Sequence, residues 1–161
     1  MIDKEQFYAG MRKLPAAVSI ISAIDEDNSH YAMTASSVTS LSDDPPSLLA
    51  CVNKSAGLAR VLKEGVMLSI SVLGQSQVNI SNACASTDKS SALFEEDYWE
   101  QRNGLFYVRG AQVVFHCLID KIIAYATHEI VLANITSLTQ NDEAHTPLVY
   151  YNAGYREIAA S

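Results

Sequence analysis

Glycine, cysteine, proline and tryptophan are all scarce in this 161-residue chain: seven, three, four and one. So few glycines leave no glycine-rich phosphate loop. Neither a Walker A sequence nor a GxGxxG fingerprint occurs, so any nucleotide is held by a different architecture. The cysteines, Cys51, Cys84 and Cys117, are odd in number and form no CxxC pair, which reads as reduced, buried thiols. Histidines stand at 30, 116, 128 and 145, and no pair has metal-ligand spacing, so no metal site is expected. Serine is plentiful, yet without a GxSxG elbow nothing supports a catalytic triad. No apolar run approaches the roughly 20 residues of a membrane helix. The charged start, MIDKEQF, lacks the apolar core of a secretion signal, so the expected location is the cytoplasm. Charged residues are only 18%, too few for long solvated tails. Eleven basic against eighteen acidic residues give a net charge of −7, which repels phosphate polyanions and argues against nucleic-acid binding.

What is present suits one domain over 1–161, with 48% hydrophobic residues to build a core. Asp3 and Gln6 form a capping-box pattern, Phe7, Met11 and Leu14 recur at helical spacing, and Pro15 ends this first helix. AVSIISA (17–23) and a run from about Tyr31 to Leu41 make a hairpin across the turn at Asp25–Ser29. SLLACVN is a third strand. Ser55 is placed to cap a short helix carrying Leu58, Val61 and Leu62 that Gly65 closes. VMLSISVL is a fourth strand, and a second helix runs from about Gly74 to Ala85. Residues 86–104 have weak periodicity and read as a mobile loop or short helix. Strands follow near 111–124, 127–138 and 147–151. Helices that do not alternate regularly with strands argue for a mainly β barrel with short helices rather than a parallel sheet.

Four segments could carry chemistry. MTASSVTSLSDD (33–44) concentrates Thr34, Ser36, Ser37, Thr39, Ser40 and Ser42 in one run. It is either a solvated strand face or a ligand-lining strand whose small hydroxyl side chains let a planar ligand approach the backbone. CVNKSA (51–56) sets Asn53, Lys54 and Ser55 at a strand end before a helix start, a sensible phosphate site in an acidic protein and also an ordinary capped helix. In AYATHEI (124–130), His128 is either a polar group at a cofactor mouth or a plain surface histidine. Tyr150, Tyr151, Tyr155 and Arg156 offer aromatics to cover a ring or a subunit contact.

Taken in order, AAVSIIS, MTASSVTSLSDDPPSLLACVNKSA, THEIVLANI and PLVYYNAGYR resemble the flavin reductase-like family with its FMN-binding split β-barrel, over residues 16–156. Within it, the chain is most similar to the small reductase components of two-component aromatic monooxygenases such as 4-hydroxyphenylacetate 3-monooxygenase. The resemblance implies a fold, the split barrel, and an activity, NAD(P)H-dependent reduction of FMN or FAD. It also implies two associations: a homodimer, and a separate monooxygenase that receives reduced flavin. It places Thr34, Ala35, Ser36, Ser37 and Ser40 beside the flavin ring and ribityl chain, and Asn53, Lys54 and Ser55 at ring edge and phosphate. Cys84, Ala85 and Ser86 fall where the segment after the second helix reaches the flavin, Tyr155 falls in the closing aromatic stretch, and His128 matches a histidine that positions nicotinamide. Two departures stand out: Ala126-Thr127-His128 replaces the family's common Gly-Asp-His, and Ala32 replaces a glycine before Met33-Thr34.

Hydride transfer needs the two rings stacked and oriented and no dedicated general base, which agrees with the absence of an acid–base pair. The rival from another class is a flavin-binding electron carrier or sensor without turnover. A pyridoxamine-phosphate-oxidase-like enzyme would need clustered Arg and Lys, which the sequence lacks, and a structural barrel with a vestigial pocket is the remaining alternative.

Overall fold

A computed structural model of the chain describes residues 1–86, 91–143 and 146–158; His145 and positions 87–90 of the segment read as a loop or short helix lie outside them. The first helix, α1 (Lys4–Met11), has the expected capping box: Asp3 accepts the Gln6 N–H at 2.8 Å, and the Gln6 side chain accepts the Asp3 N–H at 3.3 Å. It ends four residues before Pro15. None of its residues is buried, so Phe7, Tyr8 and Met11 present an apolar stripe to the surface.

Eight strands follow up to the second half of the chain: β1 (Ala16–Ala17), β2 (Ser19–Ile24), β3 (His30–Ala35), β4 (Val38–Asp43), β5 (Pro46–Asn53), β6 (Met67–Val72), β7 (Trp99–Arg102) and β8 (Leu105–Val108). The helix α2 (Val78–Ala85) lies between β6 and β7. Two long strands, β9 (Val113–Tyr125) and β10 (His128–Gln140), precede the short β11 (Val149–Tyr151) and β12 (Gly154–Arg156). Seven strands form one antiparallel sheet in the order β3-β2-β6-β9-β10-β5-β4.

The strand expected from Tyr31 to Leu41 is in fact two. β3 and β4 are the opposite edges of the sheet, and only Ser36–Ser37 joins them. A two-residue link between the edges forces the sheet to curl until they approach, giving a barrel split along that seam. Ser37 fixes the β4 side of that link, continuing the β4–β5 ladder: its hydroxyl donates to the Cys51 carbonyl at 2.9 Å and accepts the Cys51 N–H at 3.3 Å.

Two cores result. Inside the barrel, Ile21, Leu48, Val52, Leu68, Ile70 and Ile119 pack together. Outside it, Ile20, Leu73, Ile80, Trp99, Val114 and Leu148 form a second cluster beneath α2 and the β7–β8 hairpin. The segment read as a mobile loop or short helix over 86–104 holds a short 3-10 turn, Ser91–Glu95, and the hairpin corrects that reading from Trp99 onward. Asn103-Gly104, with φ of 51° and 82°, makes the tight turn. It also explains the serines that alternate with apolar residues on β2 and β6. Ser22 and Ser69 both hydrogen-bond the Phe106 carbonyl, and the Ser71 hydroxyl accepts the Val108 N–H at 3.0 Å. All three serines are buried, so the β8 backbone satisfies what the alternation left polar.

A small sheet, β1-β11-β12, ties the N-terminal segment to the C-terminal one, with Asn152-Ala153 (φ 50° and 58°) as a second tight turn. A single strand at 147–151 was expected; the chain instead doubles back and sets Tyr155 against α2.

Candidate active site

Strand β3 forms the floor of a cleft whose walls come from distant parts of the chain. A hollow of about 410 Å³ lies between β3, the turn after β5, the C-terminal end of α2 and Phe94. It shares Thr34 and Ala85 with a second hollow of about 530 Å³, which runs past Ser36 and Asn82 to Tyr155. That one shares Ser36 and Tyr150 with a third, of about 840 Å³, bounded by Ser37, Tyr8 and Met11. The three form a continuous cleft along the split side of the barrel, within the size range of nucleotide sites.

Hydrogen bonds fix the walls. The Thr34 hydroxyl donates to the Ser81 carbonyl at 2.5 Å. The Tyr155 hydroxyl donates to Asn82 Oδ1 at 3.1 Å and lies 2.8 Å from the Ser81 hydroxyl, which donates in turn. β3, α2 and β12 are thereby stitched together. On the other wall, Trp99 Nε1 donates to the Leu93 carbonyl at 2.9 Å and holds a 3-10 turn over 91–95. This sets Phe94 against His30, with ring centroids 5.4 Å apart.

The residues expected from the sequence fall into two groups. Thr34, Ser36, Ser37, Asn53, Ser55, Cys84, Ala85, Ser86 and Tyr155 all line the cleft. Ala35, Ser40, Lys54 and His128 line none of its three hollows. Ala35 is in the barrel core, and Ser40 is exposed on β4 opposite Leu48. Lys54 and His128 meet at the tip of the β9–β10 hairpin. His128 pairs in register with Asn53, the Lys54 N–H donates to the Thr127 carbonyl at 3.0 Å, and the Lys54 ammonium donates to the Ala126 carbonyl at 2.9 Å. The Thr127 hydroxyl lies 2.9 Å from His128 Nδ1, so it supplies an orienting contact to the imidazole. His128 thus stands at the rim, one strand from Asn53.

Ser55 does not cap an α-helix. Asn53 Oδ1 accepts both the Ser55 N–H at 2.9 Å and the Ser55 hydroxyl at 2.8 Å. The segment after it is a single 3-10 turn, Gly57–Arg60, with no side-chain cap, seated by the fully buried Leu58. A phosphate here meets side chains on a turn rather than the dipole end of a long helix.

Two lining residues carried no signal in the sequence. His30 packs edge-on against Phe106 at 4.4 Å, and its buried Nδ1 has no hydrogen-bond partner. Burial holds its pKa below the ordinary histidine value, against an opposing pull from Asp25, so the ring is neutral at physiological pH. Arg60 is the other: among the described residues it is the one full charge lining the 410 Å³ hollow. Three-dimensional placement, and no local motif, brings both to the site. Chemically, the cleft offers hydroxyls, amides and aromatic edges around a ring-sized slot, one cation and a neutral imidazole. This donor set fits a planar nucleotide and supplies no acid–base pair.

Residues 11–159 match the family model described as Flavin reductase like domain. The chain is 32% identical over 158 residues to FMN reductase (NADH) RutF of Serratia proteamaculans strain 568, covering 98% of this chain and 89% of that one. It is 31% identical to the reductase component of the FADH2-dependent resorcinol hydroxylase of Rhizobium sp. strain MTP-10005, covering 94% and 85%. Among solved structures it superposes with a TM-score of 0.87 on an NADH:FAD oxidoreductase of Streptomyces globisporus bound to NAD and FAD fragments, at 25% identity over 98% of this chain and 93% of the other.

Proposed function

Because the chain belongs to the flavin reductase-like domain family, we propose that it transfers hydride from NADH to FMN or FAD in the cleft along β3. It is an oxidoreductase with the split-barrel fold of that family. The observation that carries the reading is the cleft itself: residues from four segments far apart in sequence, among them Thr34, Ser36, Asn53, Ser55, Ala85 and Tyr155, line hollows that share their walls.

The hydride chemistry belongs to the two nucleotides. The chain contributes binding, orientation and shielding. Thr34 and Tyr155 are locked by their bonds to α2, so the slot they border keeps its width. Ser36 and Ser37, small and polar at the seam, leave room for a ring and its ribityl chain. Ser55 takes the flavin phosphate, and Lys54 joins it only by leaving the Ala126 carbonyl that its ammonium now contacts. His128, oriented by Thr127, positions the nicotinamide from the hairpin rim. No group in the cleft has to take or give a proton for hydride to move, which suits the neutral His30.

Reduced flavin produced in an open cleft can leave, and we read its destination as a separate flavin-dependent monooxygenase. The working form is a homodimer: α1 exposes Phe7, Tyr8 and Met11 by 47–49%, beside the half-exposed Tyr150 and Tyr151. Joining two such stripes would cover the third hollow and complete the cleft.

The decisive assay follows NADH loss by absorbance with FMN, FAD and riboflavin in parallel, and with NADPH in place of NADH. Oxidation that scales with protein and requires flavin is the expected result. Tight flavin binding without turnover would overturn the enzyme reading in favour of a carrier.

A further inference from the structure

We propose that Arg60 pairs with the second phosphate of FAD, that the hollow beyond it receives the adenosine half, and that this residue sets a preference for FAD over FMN. The inference rests on the flavin reductase reading of the cleft.

Shared residues order the hollows in a line. The end at Ser36 and Tyr155 is where the ring is placed, and Ser55 lies further along. Beyond Ser55 the cleft does not stop. Tyr31 and Arg60 are common to the 410 Å³ hollow and to a further one of about 500 Å³, lined by Asp27, Val61, Val66 and Met67. FAD is FMN lengthened by an adenosine monophosphate, so a ligand whose first phosphate is at Ser55 presents its second at Arg60.

The charges in that outer hollow are selectively spoken for. Glu26 is paired with Lys63. Asp25 accepts the N–H groups of Asp27 and Ser29 at 2.9 and 2.8 Å and the Tyr31 hydroxyl at 3.2 Å. The Arg60 guanidinium and the Asp27 carboxylate have no hydrogen bond or ion pair among the described residues. A guanidinium suits a phosphate, and a carboxylate suits the paired hydroxyls of a ribose. Val61, Val66 and Met67 give the adenine an apolar wall, Met67 being 39% exposed. The guanidinium is also well placed mechanically: Arg60 closes the 3-10 turn that the fully buried Leu58 anchors in the barrel core.

The test titrates FMN and FAD against wild-type protein, Arg60→Ala, Arg60→Lys and Asp27→Asn, reading flavin fluorescence rather than turnover. Arg60→Ala is expected to weaken FAD by about 10-fold, the scale of one charge-assisted contact, and FMN by less than about 2-fold. Arg60→Lys should recover part of the FAD loss. Free adenosine monophosphate should compete with FAD for wild-type protein and not for Arg60→Ala. An equal loss for both flavins would assign Arg60 to the first phosphate and overturn the proposal, and unchanged FAD binding would overturn it outright. Wild-type protein that binds neither flavin would instead remove the reading of the cleft on which the proposal rests.

Discussion

Replacing Ala126 by glycine should stabilise the protein, although the substitution removes atoms. Ala126 opens the two-residue loop between β9 and β10 at φ 45°, and Thr127 is not among the residues with positive φ. Positive φ at the first loop position alone is the type II′ pattern, which favours glycine there. An L-residue in the left-handed region costs about 1–2 kcal/mol. The exposed methyl buries nothing that would offset this. Glycine relieves the strain but gives the unfolded chain more freedom, worth about 0.4–1 kcal/mol against it. The net is about 0.5–1 kcal/mol in favour of Ala126→Gly, or about 1–4 °C in Tm for a chain of this size. Urea unfolding should show a higher midpoint with an unchanged slope. Ala126→Val, β-branched at the same φ, should move the midpoint the other way. A glycine variant no more stable than wild type would refute the assignment of strain to this residue. The same variant probes function, because the Ala126 carbonyl accepts the Lys54 ammonium beside His128: a better-formed tip should leave the KM for NADH unchanged.

His128→Ala should raise the KM for NADH while leaving the Kd for FMN in place; unchanged NADH kinetics would remove its positioning role. FMN should bind about 10- to 150-fold more tightly than riboflavin if Lys54 and Ser55 hold the phosphate, and equal Kd values would reject that anchor. His116 is buried and its pKa is lowered, first by burial and then by Arg102. Below pH 6.5 the unfolded chain therefore binds a proton that the folded one refuses, so stability falls with pH from about 6.5 down to the folded pKa and then levels off. His116→Gln should flatten that part of a urea-midpoint-versus-pH curve, and an undiminished slope would point elsewhere. Thiol labelling of native protein at neutral pH should mark the half-buried Cys51 first. Cys117, fully buried with its pKa pushed up to about 12, should react only on unfolding, and labelling of Cys117 at the same rate would contradict the packing.

What could be read along the chain was what local chemistry decides. The capping box of α1, the apolar run of β2 and the hydroxyl-rich lining at 34–37 needed only neighbours in sequence. The break at Ser36–Ser37 carries no glycine or proline, because sheet closure rather than a turn residue causes it. The β7–β8 hairpin did have its Asn103-Gly104 signal, but the exposed Glu100, Gln101 and Arg102 mask the alternation of a strand. Thr34 was legible because its hydroxyl stands in a concentrated run, and Ser55 because it follows Asn53 and Lys54 at a strand end. His30 and Arg60 were not, since each is an isolated polar residue that becomes part of a wall only when β3 and the turn after β5 meet. Lys54 was expected to anchor a phosphate together with Ser55, and its ammonium instead contacts a carbonyl 72 residues away in sequence.

Strand β2 faces both interiors: Ile20 belongs to the outer cluster and Ile21, one residue on, to the inner, each 1% exposed. It is thus a party wall, and neither room can be emptied while the other stands. Loss of the inner core strips β2 from the outer one, and with it the seat of α2 that borders the cleft. Heat or urea should dismantle barrel and cleft in one cooperative step, so a protein that has lost its slot by unfolding will have lost its sheet as well, and inactive yet folded variants report on the slot alone.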